Sequence, residues 1–239
     1  MKANEIIKNG RQMLKPDWES FDYQNVDGNK GIPPLPIQMP FDINAKQIEL
    51  IPFNKTNCGN KPLPQVMANR HSTREFAETE LSLEELSYLL WTTQGLKTYD
   101  DEYGFATKAV PSGGGCHCIE TYLYINRVEG IEQGIYKYLP KDQRLVLINT
   151  EAVDFFNAAV TFLWSAIPYK MEYGYSTVAH KMIAIEAGHV CQNLYLAAES
   201  IDCGCCAVGA YNQHEIDTLL GINSEDEFVI YIGAVGKYI

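Results

Sequence analysis

Residues 177–201 constrain this chain more than any other stretch. Ile183, Ala187, Val190, Leu194, Ala197 and Ile201 recur at alternating spacings of four and three, which marks one face of a helix. Met182, Ile185 and Leu196 add apolar mass on other faces. A helix apolar nearly all round is expected to be buried and central, with other elements packed about it. Glu186, His189 and Asn193 run along it as a polar stripe at i, i+3 and i+7. Each is expected to find a hydrogen-bond partner inside. Glu186 and His189 also form an E-x-x-H pair, but a di-iron bundle needs two such pairs and no second one occurs.

The other segments mix periods of two and of 3.6. Ser82 and Glu85 read as a capping box opening a helix to about Thr93, which Gly95 closes. TYLYIN at 121–126 has strand composition, and GIYKYL and RLVLI around PKDQ read as a hairpin over 134–148. The apolar run 159–165 is a candidate central strand, and 212–220 a short helix before FVIYIGAVG. Strands and helices do not alternate as βαβ units, so the expected class is α+β. Residues 1–63 read as an arm, with a short amphipathic helix over 3–14 and an extended stretch carrying Pro33, Pro34, Pro36 and Pro40. Residues 64–239 read as the folded domain.

The charge balance excludes some functions. The net charge is −11 and no run of Lys or Arg occurs, so nucleic acid is not an expected partner. No apolar run approaches the ~20 residues that span a bilayer. The opening MKANEIIKNGRQMLK has no apolar core of a signal peptide, so a cytoplasmic protein is expected. Its seven cysteines are then expected to be reduced.

Several constellations bear chemistry. Arg70, Ser72 and Arg74 occupy alternate positions of R-H-S-T-R, which puts two guanidinium forks and a hydroxyl on one side of an extended segment. That set suits a phosphate; a solvated turn is the plain alternative. Pro111-Ser112-Gly113-Gly114-Gly115 would let backbone approach a ligand closely, though it matches neither the P-loop nor G-x-G-x-x-G. Cys116-His117-Cys118 and Cys203-Gly204-Cys205-Cys206 could supply metal ligands, but their spacings are not those of zinc knuckles, and no metal is expected.

Taken in order, R-H-S-T-R, LSLEELSYLLWTTQG, VPSGGG, GIYKYLP, IEAGHVCQNLYLAAES, CAVGAY and IGAVGK resemble the nitroreductase-like flavoproteins, and within them the SagB-type dehydrogenases. The resemblance covers about residue 64 to the C-terminus. It implies a mostly antiparallel sheet flanked by helices and an intertwined homodimer with FMN at the interface. It implies that Arg70, His71, Ser72 and Arg74 hold the FMN phosphate and reach the pyrimidine side of the ring. Pro111, Ser112 and Gly113 would lie along the flavin. Val208, Gly209 and Ala210 would form the turn facing N5 and O4, and Lys237 would stand near the phosphate. Cys116 and Cys118 would open the following strand on alternate faces, with His117 pointing the other way.

The implied activity is ping-pong hydride transfer between NAD(P)H and a small substrate. SagB-type enzymes include azoline oxidases that act on peptides, in which a Lys-Tyr pair takes part in proton removal. Here Tyr173 matches the tyrosine, making it the candidate catalytic residue, but Glu172 stands where lysine is expected and Lys170 lies two residues earlier. A cysteine-based metal or redox module remains the alternative from another class.

Overall fold

The computed structural model describes residues 3–152 and 155–239. Along the chain lie α1 (Ala3–Met13), β1 (Gln47–Glu49), α2 (Leu63–Asn69), α3 (Leu83–Gln94), β2 (Leu96–Asp100), β3 (Phe105–Lys108), β4 (Ile119–Ile125), β5 (Gly134–Leu139), β6 (Arg144–Asn149), β7 (Val160–Ala166), α4 (Pro168–Tyr175), α5 (Ala179–Ser200), β8 (Cys203–Val208), α6 (Gln213–Leu220) and β9 (Phe228–Lys237). Seven strands form one sheet in the order β1-β6-β5-β4-β7-β9-β8, with every neighbouring pair antiparallel. A separate hairpin pairs β2 with β3. The class is α+β, as expected.

Side-chain alternation divides the sheet between two layers. On β4, Ile119, Leu123 and Ile125 enter the main core with Val190, Leu194 and Ala198 of α5 and Leu86, Leu89 and Leu90 of α3. Tyr122 and Tyr124 point the other way, toward Ile216 and Leu220 of α6. Strands β4, β5 and β7 are buried along their whole length because both faces are covered. Ser82 and Glu85 make both bonds of the capping box that starts α3.

Helix α5 departs from expectation on one side. Ala184, Ile185, Gly188, His189 and Gln192 are exposed, and Ile185 keeps 47% of its surface open. The polar stripe therefore divides. Glu186 is buried and hydrogen-bonded, Asn193 donates to the Thr92 carbonyl at 2.8 Å, and His189 faces outward. Periodicity reports which residues are apolar, and an apolar face can be left for a partner as well as for the chain's own core.

Past α1, the arm lies against its own chain. Gln38 bridges to Asp142 and to the Lys141 N–H, Asp27 accepts from Tyr169, and the Ile32 carbonyl accepts from Tyr173 at 2.8 Å. β1 lies within this arm and pairs with β6, so the arm contributes a strand to the sheet. α1 has no buried residue, and Ile6 and Ile7 lie open on it.

Candidate cofactor site

Two groups of polar and glycine residues are anchored on different turns of α5. The first collects around Tyr195. Beyond the end of α2, residues 70–74 run extended beside β8, where Ser72 makes a parallel bridge to Cys205 and the Thr73 N–H donates to the Cys205 carbonyl at 2.9 Å. Gly204 is required there, because a Cβ would meet the Thr73 side chain at 2.7 Å. Ser72 Oγ lies 2.9 Å from Tyr195 Oη, and the Arg70 guanidinium sits over the Tyr195 ring, 5.4 Å from its centroid. The same phenol oxygen accepts the Ala207 N–H at 2.8 Å. Arg74 is exposed, and its charge pulls against the effect of burial on the Cys206 thiol, which is raised nonetheless.

Among the described residues, the arginines in ion pairs are Arg127 and Arg144, so neither Arg70 nor Arg74 is spent on a carboxylate. In a chain of net charge −11, two uncommitted guanidinium forks flanking a hydroxyl form a donor set suited to a phosphate. His71 points elsewhere, with its Nδ1 2.9 Å from the Asn69 carbonyl and its ring stacked 5.7 Å from Tyr238. β8 ends at Val208, and Gly209 and Ala210 stand exposed past it. A Cβ on Gly209 would meet nothing, so this backbone is open to a ligand. Lys237 pairs with Cys203 across the sheet, and its ammonium is engaged by Glu85 at the start of α3.

The second group is the glycine loop. Ser112 donates to Glu186 Oε2 at 2.5 Å and accepts the His117 N–H at 3.0 Å. Pro111 is exposed before it, and Gly113 lies against Met182 of α5. Gly114 and Gly115 take φ of 61° and 69° in a tight turn, where any side chain would strike Tyr175 or Phe105. The turn continues to His117, itself at φ 49°. The expectation that Cys116 and Cys118 open a strand on alternate faces is therefore corrected, since β4 begins only at Ile119. With a left-handed residue between them there is no strand alternation. Cys118 and His117 both turn toward Glu186, at 3.5 and 3.8 Å.

Glu186 and Tyr195 are nine residues apart, which on an α-helix is about 13.5 Å along the axis. Nine residues are also two and a half turns, so the two groups are anchored on opposite sides of α5.

The segment 170–174 is part of α4. Lys170 is buried, its ammonium 2.7 Å from Glu120 and 3.2 Å from the Ile37 carbonyl. Glu172 pairs with His180 at 2.8 Å. Tyr173 borders a cavity of about 230 Å³ that Pro34, Pro36, Phe105, Cys116 and Tyr175 help to line. All seven cysteines are free thiols, and burial pushes Cys116 up to about 11 and Cys203 up to about 12. Among the described residues no group of three or more His, Cys, Asp or Glu is arranged to hold a metal ion. No helix among them is long and apolar enough to cross a membrane.

Sequence reasoning did not single out Tyr195, which ties the arginine segment to β8. Nor did it assign Glu186 to the glycine loop. The only available signal was the pair of polar positions on α5 that face inward from an otherwise apolar helix.

The profile of the nitroreductase family matches residues 67–237. A protein of Methanocaldococcus jannaschii named as a nitroreductase is 34% identical over 189 residues, spanning 74% of this chain and 91% of its own. A crystal structure of a Ralstonia eutropha protein named likewise superposes with a TM-score of 0.68 at 25% identity, covering 87% of this chain and 96% of that one. A chain of the Escherichia coli microcin synthetase complex McbBCD shares the fold alone, with a TM-score of 0.59 at 16% identity over 98% of this chain and 92% of its own. The chain belongs to the nitroreductase family.

Proposed function

We propose that this member of the nitroreductase family is an FMN-dependent oxidoreductase working between NAD(P)H and a small organic substrate. The observation that carries the cofactor assignment is the donor set at Tyr195: Arg70, Ser72 and Arg74 present two free guanidinium forks and a hydroxyl beside an open backbone at Gly209. FMN, when bound, supplies hydride acceptance and donation, with donor and acceptor taking turns in one slot. The chain's part is to bind and orient. Arg70, Ser72 and Arg74 grip the phosphate, while His71, stacked on Tyr238, and Lys237, held by Glu85, are engaged elsewhere. Val208, Gly209 and Ala210 offer backbone N–H groups to the ring's polar edge, and Pro111, Ser112 and Gly113 lie along its face. Hydride transfer itself requires no protein acid or base.

Helix α5 leaves an apolar and polar face open at Ile185, Gly188 and His189. We read this as half of a homodimer, the partner protomer covering Ile185 and Gly188 and completing the cofactor site at the interface. The exposed apolar side of α1 suits the same exchange. We place the protein in the cytoplasm, where free thiols stay reduced.

Within the family the motifs lie nearest the SagB-type dehydrogenases. Azoline oxidation on a peptide is the lesser reading, because Glu172 stands in the lysine position and the Lys170 ammonium is held by Glu120. Tyr173 keeps its candidacy for proton handling only within that reading.

The test is the visible absorption spectrum of the purified protein, with the cofactor released by heat and identified. A flavin spectrum and released FMN are expected, and turnover with NADH and NADPH should survive EDTA. A colourless protein that takes up no added FMN overturns the assignment.

A further inference from the structure

The cavity of about 230 Å³ lies between the proline-rich arm and the glycine loop. Pro34 and Pro36 bound it on the arm side, and Gly114 and Cys116 on the loop side. Phe105 and Tyr175 supply aromatic walls. Its volume is below the ~300–1,000 Å³ of sites that take drug-sized molecules, so it suits one ring rather than a dinucleotide. Aromatic and prolyl walls favour a flat apolar body.

Lys170 lines the same cavity, with its side chain 5% exposed. An ammonium has three donors. Glu120 takes one at 2.7 Å and the Ile37 carbonyl another at 3.2 Å, and the third has no partner among the described residues. The Tyr175 hydroxyl makes no hydrogen bond among them either, and it lies over the glycine loop, where a Cβ on Gly114 would come within 2.5 Å of it. The charge count points the same way. Lys108, Lys137 and Lys170 are all buried, and the buried carboxylates within their reach are Glu120 and Glu186. Glu227, beyond Tyr122, accepts the Tyr122 and Ser165 hydroxyls rather than an ammonium. One buried positive charge is left over, and a buried charge is costly unless paired. A single carboxylate entering the cavity beside Lys170 evens the count.

We propose that this cavity binds a small aromatic carboxylate, with its ring between the proline-rich arm and the Phe105 and Tyr175 walls and its carboxylate on the Lys170 ammonium and the Tyr175 hydroxyl. That the cavity is the substrate end of the flavin site rests on the FMN reading; the binding of the acid does not. Lys170 acts here as a fixed charge. Glu120 and the Ile37 carbonyl hold its ammonium in place, so little ordering is left for the ligand to impose. The site selects on two counts. A neutral ring leaves the Lys170 donor and the surplus charge unmet, and a small acid without a ring leaves the apolar walls wet.

The probe is phenylacetate, titrated into the purified protein by calorimetry. Phenethyl alcohol supplies the ring without the charge, and acetate the charge without the ring. Phenylacetate is expected to bind at least about tenfold more tightly than either. Tyr175→Phe removes a hydroxyl that the fold does not use, so it should leave Tm unchanged, weaken phenylacetate by about tenfold and leave phenethyl alcohol unaffected. Lys170→Met should abolish the preference for the acid. Phenylacetate held no more tightly than phenethyl alcohol by wild type overturns the proposal, whether or not any variant folds. A preference kept in full by Tyr175→Phe puts the acid elsewhere and overturns it as well. The placement is read from the visible spectrum of the flavin-loaded protein, which should shift when phenylacetate is added. Binding without a shift detaches the cavity from the flavin and overturns that half. A protein that takes up no flavin at all sinks the FMN reading, while calorimetry still decides the acid site.

Discussion

Ser72 Oγ and Tyr195 Oη lie 2.9 Å apart, and the same phenol oxygen takes the Ala207 N–H at 2.8 Å. One hydroxyl on α5 thus fixes both the arginine segment and the end of β8. Tyr195→Phe keeps the ring under Arg70 but leaves the Ala207 N–H unpaired, a loss of about 1–3 kcal/mol. We expect a lowered Tm with an unchanged far-ultraviolet spectrum. FMN affinity should fall by about tenfold for each 1.4 kcal/mol that reaches the site, as measured by quenching of flavin fluorescence. Wild-type affinity in this variant would mean that the segment holds its place without Tyr195.

Arg70→Ala probes the phosphate contact directly. A hydrogen bond to a charged group contributes about 1.5–3 kcal/mol, so FMN should bind roughly 10- to 100-fold more weakly. The guanidinium makes no ion pair within the described chain, so the fold should survive its loss. Arg70→Lys should recover only part of the affinity, because an ammonium cannot form the two-pronged contact. Full flavin retention in Arg70→Ala would remove Arg70 from the site.

Glu120 should govern the acid limb of stability. It lies between Lys170 at 2.7 Å and Lys137 at 3.5 Å, all three buried. Burial raises its pKa, but the ammonium groups of Lys170, Lys137 and Lys108 outweigh this and hold it at about 2, against 4.5 unfolded. A depressed folded pKa means the unfolded chain binds the extra proton between these values. Its contribution is therefore complete above pH 4.5 and lost as the pH falls toward 2. Glu120→Gln should flatten that part of the urea midpoint against pH, and should cost about 3–5 kcal/mol at neutral pH by stranding two buried ammonium groups. A wild-type slope in the variant would assign the acid transition to other carboxylates.

The parts of the fold legible in the sequence are those where one period dominates. The run 159–165 became β7 at Val160–Ala166, and the Asn212 cap opened α6. The hairpin β2–β3 was not legible, because LKTYD is largely solvent-facing and FATK buries only Ala106 and Lys108, so neither carries a clear apolar alternation. α4 was not legible either, since PYKMEYGY holds a glycine and three tyrosines, and its helicity comes from packing against α5 and the arm. The arginine row was visible as spacing. Its anchor at Tyr195 was not, because a residue pair 123 positions apart in sequence is fixed only by the tertiary fold. The meeting of His117 with Glu186 depends on a left-handed backbone at a non-glycine residue, which no propensity announces.

Tyr173 offers a last separation of roles. Its hydroxyl donates to the Ile32 carbonyl at 2.8 Å, so it tethers the proline-rich arm across α4. Gly28 lies against the same ring, where an added Cβ would come within 3.1 Å. A neutral hydrogen bond contributes about 0.5–1.5 kcal/mol. When cleavage follows the open population, Tyr173→Phe should therefore raise proteolysis of residues 15–40 by up to about tenfold. NAD(P)H-linked turnover should persist, because hydride transfer to a small acceptor asks no proton of this residue. The paired measurement is limited proteolysis and steady-state turnover on one preparation. Loss of turnover with the arm still protected would move Tyr173 from tether to proton-handling group, and would raise peptide azoline oxidation above reduction of a small substrate.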